Sequence, residues 1–111
     1  MKKILLAILI SSMALSAMAQ SMSSEAKEAQ KVTFKCIYKY SVQLDDGVSN
    51  VETIAKVVAN SCQKENIQFS EIFTSGVDLS PAGKQDIFDE IFRKNIEVAS
   101  YYILTNRAAK K

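Results

Sequence analysis

The chain has 111 residues, a formal charge of +2, two cysteines, three glycines and no histidine. Without imidazole it has no histidine general base, no Ser–His or Cys–His nucleophile pair and no histidine metal ligand. Three scattered glycines leave no phosphate-cradling loop, so the expectation is a protein that is not an enzyme, with no catalytic, cofactor-binding or metal-binding residues.

Met1–Ala19 has the three parts of a secretory signal: the Lys2-Lys3 head, an apolar run from Ile4 to Ile10 continuing through Met13 to Leu15, and Ala17-Met18-Ala19, with cleavage expected after Ala19. The run falls short of the roughly 20 residues that span a bilayer, and Ser11, Ser12 and Ser16 dilute it. Lys2 and Lys3 account for the whole charge excess, so the mature chain is formally neutral. A nucleic-acid partner therefore has no electrostatic footprint. The small basic end, Arg107, Lys110 and Lys111, reads as a helix C-terminus complementing the helix dipole. The expected organisation is a signal peptide over 1–19 and one small helical domain over 20–111, with no further span. The protein is expected in the periplasm if the host has two membranes, and otherwise secreted.

A domain of this size buries only about 60 to 65% of the surface its unfolded chain exposes, so a covalent staple matters. Two cysteines in a small exported chain, Cys36 and Cys62, are read as a structural disulfide. The close Cys-x-x-Cys spacing of a redox pair is missing.

Taken in order, Gln20 to Gln30 is polar and small, with Ser23 or Ser24 able to cap a helix. Val32, Phe34, Cys36, Tyr38, Tyr40, Val42 and Leu44 then alternate as in a strand. Ala26, Ala29, Thr33, Cys36, Ile37, Tyr40 and Leu44 trace a helical face over the same stretch, and Ile37 breaks the alternation. A strand needs a partner, and the one candidate, Ile67 to Thr74, stops alternating after Phe69. Helix is favoured, with Val32–Leu44 as a strand in an α+β fold the alternative. Asp45-Asp46-Gly47 ends the element, Gly47 supplying the left-handed turn. Ser49-Asn50-Val51-Glu52 reads as a capping box with Ser49 as the cap. Val51, Ile54, Ala55, Val58 and Cys62 follow on one stripe. Asp45, Asp46, Asn50 and Glu52 suggest a cation site, but Val42 and Leu44 stand where an EF-hand needs oxygen ligands, so turn chemistry is preferred.

The arrangement Cys36, Leu44-Asp45-Asp46-Gly47-Val48-Ser49, Ile54-Ala55, Val58, Cys62 resembles a pattern in uncharacterised small exported helical proteins of proteobacteria. The resemblance covers about a quarter of the chain and implies helices on both sides of the turn, but no activity or substrate. The tyrosine-rich, β-branched segment before the turn departs from the more alanine-rich pattern of those proteins.

Beyond Cys62, Gln63 to Asn66 reads as a polar link, and Ile67, Phe69, Ile72 and Phe73 as a short helix stopped near Ser75-Gly76. Ser80-Pro81 is an N-cap followed by proline at the first helical position. The longest helix runs from there to about Asn106, with Phe88, Ile91, Phe92, Asn95, Ala99, Tyr102 and Ile103 on one side. Asp89 with Arg93 and Glu90 with Lys94 are spaced for surface pairing. The acidic trio Asp86, Asp89 and Glu90 is the one set that paired-carboxylate chemistry would draw on, and it falls on a solvated face. Tyr101-Tyr102-Ile103-Leu104 points around the whole helix, so part of it must face solvent, another chain or the Tyr38–Tyr40 segment.

These elements predict a mostly α domain of three or four helices, with one disulfide linking an αα-hairpin. The expected role is a non-enzymatic, inhibitor-like or immunity-like module that binds another envelope protein. The alternative is a carrier or chaperone that takes apolar ligands or unfolded chains into the Phe69, Phe73, Phe88 and Phe92 region, which otherwise belongs to the core.

Overall fold

Four helices make up the fold: α1 (Ser24–Leu44), α2 (Val51–Ser61), α3 (Gln63–Thr74) and α4 (Pro81–Ala109), with no strand among the described residues. The computed structural model describes residues 22–110, and the expected leader Met1–Ala19 lies outside them. No helix among the described residues is long and apolar enough to cross a membrane.

The two competing patterns between Val32 and Leu44 resolve as helix. Ser23 caps α1, its hydroxyl accepting from the Ala26 amide at 3.1 Å, and Ala26, Thr33, Ile37 and Ser41 form the buried stripe. Ile37 is fully buried, while Val32, Tyr38 and Val42, which gave the alternation its strand character, stand half in solvent. The stripe ends on Ser41 and not on Leu44, which is exposed. The reason is rotation: positions 26, 33, 37 and 41 advance by seven, four and four residues, and the next member of that row falls in the loop.

Cys36 on α1 is bonded to Cys62, with their Cα atoms 6.0 Å apart. Cys62 is the one-residue break between α2 and α3, so the bond ties α1 to that junction rather than to the middle of a second helix. The segment Gln63 to Asn66, expected as a link, is the first turn of α3, because the Cys62 carbonyl already accepts from the Asn66 amide at 3.0 Å. Arg107 near the end of α4 meets Asp45 at the end of α1, which sets α4 parallel to α1, with α2 antiparallel to both. Ile37, Ala55, Val58, Cys62, Ala99 and Ile103 fill the space between them.

The cap of α2 differs from the expected one. Asn50 is the N-cap, its Oδ1 accepting from the Glu52 and Thr53 amides at 2.9 and 3.3 Å. Ser49 is drawn away by Asp46, which accepts from both its amide and its hydroxyl. Asn50→Ala is therefore expected to cost about 1 kcal/mol in urea unfolding, more than Ser49→Ala. On α4 the expected cap is present, with the Gly83 amide donating to Ser80 Oγ at 3.0 Å ahead of the Pro81 turn. The surface pairs rearrange: Arg93 bridges Glu90 and Glu97, Lys94 sits 4.0 Å from Glu97, and Asp89 accepts from Gln85. A guanidinium fork reaches one turn in both directions at once, so Arg93 takes the two glutamates in place of Asp89. Pairs this exposed contribute little to stability, because water and salt screen them.

Candidate functional site

A polar layer divides the bundle. Thr33 on α1, Asn66 on α3 and Asn95 on α4 are all buried, and each lies about one helical turn from a core residue, Ile37, Cys62 and Ala99 respectively. Thr33 Oγ1 donates to the Ala29 carbonyl at 2.9 Å and approaches the Glu65 carbonyl at 3.4 Å. Asn95 Nδ2 donates to Asn66 Oδ1 at 3.4 Å. Below this layer the helices close on the aliphatic core; above it they part.

The space above the layer is a cleft of about 310 Å³ between α1, α3 and α4. Phe34 contributes from α1, Phe69 and Phe73 from α3, and Ile87, Ile91 and Val98 from α4. The i, i+4 spacing of Phe69 and Phe73 sets their rings edge to face, 5.9 Å apart and 83° between planes. Asn95 forms part of the floor, Gln30, Glu90 and Lys94 stand at the edge, and Met22 lies at the N-terminal mouth. The volume is about twice the ~150 Å³ that takes up a benzene ring and sits at the low end of the ~300 to 1,000 Å³ of small-molecule sites. The cleft suits one or two apolar side chains or a small apolar molecule.

Of the four phenylalanines expected together, the structure brings Phe69 and Phe73 into the cleft, while Phe88 and Phe92 are half-buried outside its lining. Their places are taken by Ile87 and Ile91. The row Ile87, Ile91, Val98, spaced four and seven, was the available signal, running beside the buried row Asn95, Ala99, Ile103.

The acidic loop was the other region with candidate chemistry. Gly47 takes φ +76°, as its place in the turn requires. The Ser49 hydroxyl, donating to Asp46, pulls its carboxyl down to about 2, helped by the Ser49 and Val48 amides, which donate to Oδ1 at 2.7 and 2.9 Å. Asp45 accepts from the Gly47 amide at 3.0 Å and from both Arg107 Nε and Nη2. Arg107 holds the Asp45 carboxyl below its usual 3.8. Arg107 Nη2 also donates to the Ser49 carbonyl at 2.8 Å, so this residue, expected as a dipole complement, instead locks the end of α4 to the loop. Both carboxylates are thus taken up by the turn and its arginine. Both shifts are downward, so the stability they supply is complete above about pH 4 and disappears as pH falls through the depressed values toward about 2. Arg107→Gln is expected to move the onset of acid loosening to higher pH, followed through the Asp45 carboxyl shift in an NMR titration.

Among the described residues, Cys36, Cys62 and Glu65 are the one group of three potential metal ligands that converge, within 4.8 Å of one another. Both sulfurs are spent on the disulfide. Asp86, Asp89 and Glu90 are exposed, and Glu90 is tied to Arg93. No family model, curated protein or solved structure matches this chain. The functional reading therefore rests on the cleft.

Proposed function

We propose that this chain is an exported, non-enzymatic helical protein that binds another protein of the cell envelope, as an inhibitor-like or immunity-like module, with the α1–α3–α4 cleft as the anchor point. The observation that supports this is the cleft itself: apolar walls, a charged and amide edge, and a volume matched to one or two side chains. Energetic anchors at protein interfaces are commonly large side chains seated in desolvated pockets inside a polar rim. A disulfide one turn below the polar layer holds α1 against the start of α3, two of the three helices that carry the walls, which lowers the ordering cost of binding.

A carrier or chaperone of apolar ligands is the second reading, favoured by the apolar walls of the same cleft. In-cell crosslinking of the tagged mature protein followed by mass spectrometry distinguishes them. One stoichiometric partner, lost in Ile87→Glu with the fold retained by circular dichroism, is the expected result. A spread of heterogeneous clients, or co-purified lipid together with enhanced fluorescence of an apolar dye by the native protein, would instead establish the carrier or chaperone.

A further inference from the structure

The walls of the cleft are apolar, but its floor ends on an amide pair whose hydrogen-bonding capacity is largely unspent. Asn95 is 2% exposed and lines the cleft, and the fully buried Asn66 stands behind it. The bond between them, Asn95 Nδ2 to Asn66 Oδ1, is long at 3.4 Å, and Asn66 Nδ2 has no hydrogen-bond partner among the described residues. Each amide carries two N–H donors and one oxygen, so a single bond leaves most of them open. A hydrocarbon seated in the cleft would seal this floor with its polar groups unpaired, which is the costly arrangement in a site without water. An occupant with a polar tip removes that cost.

We propose that the group filling the cleft is a tyrosine side chain of the partner protein, its ring against the phenylalanine walls and its hydroxyl on Asn95. The proposal rests on the reading of the cleft as the anchor point for a protein partner, and names what that partner inserts. Phe34, Phe69 and Phe73 offer ring faces and edges to an aromatic guest. The volume of about 310 Å³ exceeds what a bare benzene ring needs, leaving room for a hydroxyl below the ring and the Cβ above it. The floor then selects among aromatic side chains. A phenol hydroxyl both donates and accepts, so it pairs with Asn95 whichever way that amide is turned. With the Asn95 nitrogen turned to the hydroxyl, Asn95 Oδ1 is free to accept from Asn66 Nδ2, and the whole layer is satisfied. Phenylalanine brings no polar atom to the floor, and the indole N–H of tryptophan can only donate. A site built to bond a hydroxyl discriminates strongly against the analogue that lacks it, because the buried polar groups are then left unpaired.

p-Cresol and toluene, the side chains of tyrosine and phenylalanine cut at Cβ, test this on the oxidised mature protein by NMR titration. The Ile87 and Ile91 methyl groups report entry into the cleft, and the side-chain amides of Asn66 and Asn95 report contact with the floor. p-Cresol is expected to bind more tightly than toluene, although water solvates it better, and to shift both amides. In Asn95→Leu the ratio of the two affinities should move at least about tenfold toward toluene. Should that variant fail to fold, the affinity order and the amide shifts of the unaltered protein decide the question. Toluene binding as tightly as p-cresol, p-cresol entering without moving the amides, or a preference that survives Asn95→Leu would each overturn the tyrosine assignment while leaving the cleft as an apolar anchor site. Entry of neither compound would overturn the assignment and the cleft reading together.

Discussion

Replacing Cys36 and Cys62 together by alanine is expected to lower the melting temperature by well over about 10 °C. The two residues are 26 apart in sequence, and closing a loop of that length restrains the unfolded chain by about 3.5 kcal/mol in the chain-entropy model. Domains of this size have about 5 to 15 kcal/mol in total, so the staple is a large share. Its place adds to the effect, because Cys62 is fully buried in the core with Val58 and Ile103, and truncating it leaves a void. Reduction of the unaltered protein removes the link and keeps the side chains. Its melting temperature should therefore fall between those of the native protein and the double variant. A double variant that melts with the native protein would mean that helix packing alone holds the fold.

Ile37→Lys is expected to be the most damaging single substitution on α1. Ile37 is fully buried against α2 and α4, where loss of an isoleucine side chain alone costs about 2 to 5 kcal/mol. The ammonium would have to be desolvated as well or give up its proton. Equilibrium urea unfolding should show loss of most of the stability, whereas Val42→Lys, on the half-exposed side of the same helix, should stay within about 0.5 kcal/mol of the native value. Equal effects at the two positions would mean that α1 presents a different face to the core.

Ile37 also shows what made the fold legible. Alternation from Val32 to Leu44 fits a strand in every respect but that residue, and a helix alone can bury it with Thr33 and Ser41 while leaving Lys35 and Lys39 in solvent. The Ser80-Pro81 start of α4 and the Gly47 turn were legible because each depends on local backbone chemistry. The cap of α2 was not, because Ser49 and Asn50 are both good caps and Asp46 decides between them by taking Ser49. The Asp45–Arg107 lock spans 62 residues, beyond any local pattern. The cleft was half legible: Phe69 and Phe73 belong to it, but Phe88 and Ile87 differ by only 100° around α4. Which of them faces inward depends on where α1 and α3 lie, and no periodicity within α4 carries that information.

The walls of the cleft and the core beneath it both depend on α1 being held to the α2–α3 junction by the Cys36–Cys62 bond. Intact mass of the native protein, alkylated under denaturing conditions without reductant, measures that bond directly. A monomer carrying no alkyl groups before reduction and two after it is the expected result. Two alkylated thiols on the unreduced monomer would contradict it.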